Sequence, residues 1–118
     1  MSYLLLVQEK SEARRARSTA DGQAAMERML AFTADLKARG LLIASDSLTS
    51  DASGVRVEIR GGKRSLLDGP FAESKEIVGG FFLIDCDSRE QAIAIACECP
   101  AAAWATIEVR QSGACYED

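Results

Sequence analysis

Two apolar segments constrain the fold of this chain more than any other feature. Tyr3 to Gln8 and Gly80 to Cys86 are nearly unbroken apolar runs, without the alternation that marks a strand with one wet face. Runs of this length are typical of strands that are covered on both faces. They fall far short of the roughly 20 residues that a membrane-spanning helix needs. We therefore expect two central strands of a sheet, and no membrane association.

The segment between these runs begins with one helix. From Ser18 to Gly40 the apolar residues form a single stripe of an amphipathic helix, at Ala25, Met29, Phe32 and Leu36. Ser18 is suited to cap the start of this helix and Gly40 to end it. Residues 9–17 are polar and charged, which predicts a loop. The Arg14 to Arg17 cluster within it is predicted to be a solvated stretch and not a phosphate site.

A second strand over 41–48 and a hairpin come next. Val55, Val57 and Ile59 alternate with charged residues, which predicts a half-buried strand with one wet face. Gly61-Gly62 can supply the positive φ angles of a tight hairpin turn, so residues 63–67 are expected to pair back.

The C-terminal third supplies a second helix and a last strand. Ser88 and Gln91 resemble a capping box, Pro100 ends the helix, and residues 104–111 alternate as a strand. The resulting order is β-α-β-β-(short β)-β-α-β. It predicts a single domain, 1–118, of the α+β class: a ferredoxin-like split βαβ antiparallel sheet with two helices on one face.

The binding partners can be inferred from the face of the sheet that the helices leave uncovered and from the distribution of charge. The other faces of the two central strands would expose apolar residues in a monomer, which favours a homodimer through the sheet face. The net charge is −4, and residues 65–118 carry three Lys/Arg against ten Asp/Glu. An acidic half of this kind repels nucleic acid, so we expect no nucleic-acid partner.

The cysteines and the N-terminus bear on cofactors and location. The chain has four cysteines and no histidine, and Cys97-x-Cys99 lacks the spacing of a zinc knuckle. We therefore predict no metal and no cofactor, with the cysteines acting as small hydrophobic residues in a reducing compartment. The N-terminus lacks the features of a secretion signal. The expected location is the cytoplasm.

The loop over residues 68–76 offers the best candidate site. Pro70 makes it rigid, and Asp68 can serve either as a turn cap or as an acid/base catalyst whose pKa is raised in a cleft. Phe71 can pin the loop to the core or contribute an aromatic wall. The candidate ligand-binding residues are Phe71, Glu73, Lys75, Glu76 and Phe82. The spacing of the acidic residues matches no standard metal loop.

These residues also carry a family resemblance. Asp68-Gly-Pro-Phe-Ala-Glu-Ser-Lys-Glu76, followed by Gly79-Gly-Phe-Phe-Leu-Ile-Asp85, resembles the signature of the DGPF branch of the YCII-related proteins. The resemblance implies a dimeric α+β barrel. An enzymatic branch of that family uses a His–Asp pair, in one case to eliminate halide from a chlorinated hydroxyquinol. This chain has no histidine, so the resemblance carries over only the aspartate, at Asp68.

Three functions are compatible with these observations. The first is small-molecule binding by a lyase-like enzyme that uses Asp68 near the dimer cleft. The second is a non-catalytic ligand-sensing or protein-interaction module. The resemblance links this second function to sigma-factor regulation, because some relatives are encoded beside alternative sigma factors. The third is a structural dimer in which the loop only maintains the fold.

Overall fold

The computed structural model describes residues 1–71 and 75–116 as six strands and three helices. The strands are β1 (Ser2–Glu9), β2 (Leu42–Ser47), β3 (Val55–Arg60), β4 (Lys63–Asp68), β5 (Ile77–Asp85) and β6 (Thr106–Gln111). The helices are α1 (Ser11–Ala16), α2 (Thr19–Ala38) and α3 (Arg89–Glu98). Four strands form one open antiparallel sheet in the order β2-β5-β1-β6, while β3 and β4 pair only with each other.

The two central strands are those that the apolar runs predict. β5 and β1 lie side by side in the middle of the sheet. Along β1 the inward residues Tyr3, Leu5 and Val7 are buried and the residues between them are half-buried. Leu5 and Ile84 are both 0% exposed. Removing these side chains from water supplies about 1.5–3 kcal/mol for each one that is fully buried, so the core lies on this face.

Both predicted helices are confirmed, and they pack on the same face. The Ser18 hydroxyl caps α2 by accepting the Asp21 amide at 3.1 Å, and Gly40 follows the helix with φ +70°. Ser88 caps α3 in the same way, accepting the Gln91 amide at 3.1 Å. Their inward residues join those of β1 and β5 in one core cluster, which includes Phe32, Leu36, Ala92 and Ile95. No helix in the described ranges has both the length and the apolar character to cross a bilayer.

The predicted loop over residues 9–17 is wrong. Glu9 is the last residue of β1 and is buried, and Ser11–Ala16 form the additional helix α1. The arginines of this stretch are not simply solvated, because Arg14 and Arg17 pair with Glu9 and Arg15 pairs with Asp51. Two buried carboxylates need these partners, since an unpaired charge is costly to remove from water. The polar composition therefore reflects ion pairing and not an exposed loop.

The hairpin forms as predicted, but its predicted half-burial is wrong. Gly61 and Gly62 have φ of +58° and +79°, and Val57 lies opposite Leu66. Every residue of β3 and β4 is nonetheless exposed, including Val57 at 59% and Ile59 at 64%. The alternation correctly marks an apolar face, but β3 and β4 do not join the main sheet and no helix covers them.

The face of the sheet opposite the helices is apolar at its centre. Leu4 and Leu6 of β1 lie in register with Leu83 and Phe81 of β5, and all four side chains are half-buried. We call these four residues the helix-free face.

Candidate functional site

The structure disperses the residues of the predicted site. Asp68 is exposed at the end of β4, opposite Val55. Phe71 and Glu76 line a cleft of about 410 Å³ beside the hairpin, and Phe82 lines a different one. Lys75 is exposed, and Glu73 lies outside the described residues. Asp68 lines neither of these clefts, so its catalytic role stays a prediction.

The loop that follows Asp68 is held by a different aspartate. The Phe71 amide donates to Asp51 Oδ2 at 3.1 Å, and the Ser11 hydroxyl donates to Asp51 Oδ1 at 2.5 Å. Gly69, which precedes a cis peptide bond to Pro70, passes so close that an added Cβ would stand 1.7 Å from the Asp51 carbonyl oxygen. Asp51 therefore ties this loop to α1, through partners that lie 20 and 40 residues from it in the chain.

The surroundings of Asp51 stabilise its charged form. The hydrogen bond from Ser11 holds the pKa of Asp51 below its usual range, aided by the Phe71 amide and the Arg15 guanidinium against the opposing effect of burial. Sequence reasoning missed Asp51. Its partners are far apart in the chain, and no periodic pattern marks it.

Phe71 packs beside the hairpin and is not a member of the core cluster to which it was expected to pin the loop. Its half-buried ring lies under the Arg56 guanidinium, with Cζ 3.9 Å from the ring centroid. A cation over an aromatic face is attracted by the ring quadrupole. The ring is therefore part of the packing at the base of the hairpin.

A larger cleft of about 490 Å³ lies between α2 and the main sheet. We call it the α2 cleft. Its walls are mostly apolar, with contributions from Val7, Ala25, Met26, Met29, Leu30, Phe82 and Trp104. Trp104 is half-buried and carries the Arg28 guanidinium 4.9 Å from its ring centroid. An apolar body of small-molecule size would fit this space.

One end of the α2 cleft is charged. The buried Glu9 carboxylate lies 3.2 Å from Arg17 Nη2 and 3.5 Å from Arg14 Nη1. Arg14 also donates to the Leu48 carbonyl through Nη2. Its Nη1 is buried and has no hydrogen-bond partner in the described part of the chain. A buried donor without a hydrogen bond is costly, and the nearby Glu9 carboxylate offsets part of that cost.

Comparison with known proteins places the chain in a family. The profile of the YCII-related domain matches residues 1–112, nearly the whole chain. The chain belongs to the YCII-related family. It is also similar to the uncharacterized protein R00369 of Rhizobium meliloti (strain 1021), with 53% identity over 32 residues. That stretch covers 27% of this chain and 26% of the relative.

The charged end of the cleft in this YCII-related domain was also missed, although the sequence contained a signal for it. The inward residues of β1 alternate from Tyr3, and the same alternation places Glu9 on the helix-covered face. A buried carboxylate requires cations, and arginines follow within eight residues. Gly79 leaves room for this arrangement, since a Cβ there would stand 2.6 Å from Glu9 Oε1. The register between β1 and β5 shifts at this point, between Val7 and Gln8.

The cysteines of this YCII-related domain are free and differ in exposure. Cys86 and Cys99 are buried, and Cys97 and Cys115 are exposed. Burial raises the pKa of the Cys99 thiol, which keeps it protonated and unreactive. Among the residues that the structure describes, no group of Cys, Asp and Glu is arranged to hold a metal ion.

Proposed function

We propose that this YCII-related protein binds a small organic molecule with an apolar body and one anionic group, and that the ligand occupies the α2 cleft. The observation that carries the proposal is a cleft of about 490 Å³ whose apolar walls converge on a charged end. Ligand sites commonly combine these properties, with a few polar groups that orient an otherwise apolar ligand.

The charged groups at one end of the α2 cleft favour a ligand that carries an anionic group. Two arginines, Arg14 and Arg17, face one carboxylate, Glu9, so this end is locally positive. Asp46 of β2 is the other charged residue that lines the cleft, and it balances the charge of the cleft as a whole. The N-terminus of α2 also lines the cleft through Ser18 and Thr19, and helix N-termini favour anions. Together these groups would orient a carboxylate.

A matched pair of ligands tests this proposal. We expect 1-naphthoate to raise the melting temperature more than 1-naphthamide, which has the same rings but no charge. Arg17→Gln should weaken naphthoate binding by about tenfold or more and leave naphthamide binding unchanged, because charge-assisted hydrogen bonds contribute about 1.5–3 kcal/mol. Isothermal titration calorimetry provides the affinities.

Two bulky substitutions locate the ligand. Met26→Trp should block the α2 cleft, which Met26 lines at its partly exposed rim. Ile93→Trp is the control, because Ile93 is a partly exposed residue of α3 that lines neither cleft. Equal naphthoate binding by both variants and the wild type would contradict the proposal. Loss of binding in Asp68→Asn alone would favour the acid/base hypothesis at the loop over 68–76.

We further propose that the protein is a ferredoxin-like member of the DGPF branch and a homodimer through the helix-free face. The strand order β2-β5-β1-β6 and the placement of α2 and α3 on one face support the ferredoxin-like assignment. The loop residues Asp68 to Phe71 support the branch. The partly exposed apolar centre of the helix-free face supports the dimer, since such patches usually mark interfaces.

A further inference from the structure

The hairpin of β3 and β4, residues 55–68, which we call the arm, has one apolar face without a cover. Val55, Val57 and Ile59 share that face with Leu66, because Val57 lies opposite Leu66 and side chains alternate along each strand. All four are between 51% and 64% exposed. A two-stranded hairpin is at best marginally stable in water on its own. The arm therefore needs a surface to pack against.

Charge distinguishes the arm from the rest of the chain. Residues 55–68 contain four Lys/Arg and two Asp/Glu, a balance of +2. The whole chain has a net charge of −4, so the remainder carries −6. A basic, apolar arm on an acidic body is complementary to the body of another copy of the same chain.

The border of the helix-free face has a matching arrangement. Asp46 of β2 lies opposite Phe81, and Glu108 of β6 lies opposite Leu6, so two carboxylates flank the apolar centre on the same face. On the arm, Arg64 lies opposite Ile59 and therefore belongs to its apolar face. Asp68 lies opposite Val55 on the same face of the arm. Arg110 lies opposite Leu4 on the helix-free face, with its Nε 3.7 Å from Glu108 Oε2. The apolar side chains beside Arg64 would therefore meet apolar side chains whose flanking charged groups, Asp46, Glu108 and Arg110, still sum to one negative charge.

We propose that the arm packs its apolar face onto a second copy of this chain, at the acidic border of that copy's helix-free face. The inference rests on the proposed dimer and adds the arm as a part of its interface. A twofold axis makes the contact reciprocal, so that each copy contributes one arm and receives one. Two arms add area to an interface that needs about 800 Å² per partner to be of standard size.

Sedimentation velocity over a range of protein concentrations tests the arm directly. We expect the wild type to be dimeric and the double variant Val57→Lys, Leu66→Lys to dissociate at least tenfold more readily. Ser65→Lys is the control, because Ser65 is the exposed neighbour of Leu66 on the opposite face of β4. Circular dichroism would verify that all variants are folded, and the exposure of the mutated residues makes unfolding an unexpected outcome.

The result can separate the arm from the dimer itself. If Leu6→Lys dissociates the protein and the double arm variant does not, the dimer through the helix-free face stands and the arm inference is overturned. A wild type that is monomeric at 100 µM would overturn both. Naphthoate binding to the arm variant tests the α2 cleft separately, and its result does not depend on the dimer or on the packing of the arm.

A charge exchange tests the acidic border. Arg64→Glu should weaken the dimer several-fold, and adding Asp46→Arg or Glu108→Arg in the same chain should restore it. Hydrogen exchange supplies a second readout, because arm amides should become protected as the protein concentration rises through the dissociation constant. Unchanged exchange in the arm of a dimeric protein would overturn the inference.

Discussion

Strand β1 and the arm are both rich in apolar residues, but the structure buries those of β1 and leaves those of the arm exposed to solvent. Leu5 of β1 is 0% exposed between β5 and β6 and beneath the helices, whereas Leu66 of β4 is 53% exposed. Both are leucines in antiparallel strands with hydrogen-bonded neighbours. The difference shows that backbone pairing alone does not bury a side chain. Burial requires a second layer on that face, which β1 has within the chain and the arm does not.

The strongest way to sharpen this comparison is to truncate both leucines. Leu5→Ala should lower the free energy of unfolding by about 3 kcal/mol, because it removes packing and leaves a cavity in the core. Leu66→Ala should change it by less than about 0.5 kcal/mol in the monomer, as surface substitutions do. Urea titrations at low protein concentration, where the proposed dimer would be dissociated, measure both. Equal losses would show that the arm is covered within its own chain.

A second substitution acts where the arm joins the body. Gly69→Ala should cost about 2 kcal/mol, because the added methyl group meets the Asp51 backbone and the loop must shift. Gly22→Ala is the control, since nothing lies within 4 Å of its added Cβ and alanine favours the helix by up to about 1 kcal/mol. We expect urea titrations to show a lower free energy of unfolding for Gly69→Ala and a higher one for Gly22→Ala. An unchanged free energy of unfolding in Gly69→Ala would contradict the close contact between Gly69 and the Asp51 backbone.

The third prediction concerns pH at the same junction. The folded-state pKa of Asp51 lies below its unfolded value of about 3.9. Its stabilising contribution is therefore fully present above that value and is lost as pH falls through the folded pKa. Asp51→Asn should lower stability at pH 7 and should lose less stability than the wild type between pH 4 and pH 2.

Ser11→Ala is the companion to this measurement. It keeps the Asp51 carboxylate but removes the hydrogen bond that is the largest cause of its lowered pKa. Its acid dependence should lie between those of the wild type and Asp51→Asn. Identical acid dependence in all three proteins would mean that Asp51 is not the group that titrates.

The smallest expected effect is chemical and leaves stability unchanged. Under native conditions an aromatic disulfide reagent should label two thiols rapidly, at the exposed Cys97 and Cys115. The buried Cys86 and Cys99 should react only after unfolding, and urea-denatured protein should titrate all four. Rapid labelling of all four thiols in the native protein would show that the core opens more readily than its packing indicates.

Much of the fold could be predicted from the sequence because its signals are local. The Ser18 and Ser88 caps, the Gly61-Gly62 turn and the two central strands all depend on residues within one element or its ends. The exception is α1, which has no apolar stripe and is held by ion pairs to Glu9 and Asp51. Those partners lie in other elements, so composition alone indicated a loop.

The candidate site was less predictable for the same physical reason. The loop over 68–76 was conspicuous in sequence, but the α2 cleft is formed by α2, β1, β5 and Trp104, which meet only after folding. Side chains alternate along β1, so Glu9 is placed inward once the structure shows which face of that strand the helices cover, and its arginines were visible nearby. That they share one end of a cleft depends on the path of the chain between them.

By itself, the sequence determined which segments form strands, where α2 and α3 begin and end, and which face of each of these helices is apolar, because those properties follow from neighbouring residues. Tertiary structure alone decided which apolar faces were covered. It left the arm outside the main sheet. It also brought Asp51 to Ser11 and Phe71, and Glu9 to Arg14 and Arg17. Burial and ion pairing depend on layers contributed by distant segments, and no local pattern encodes that distance.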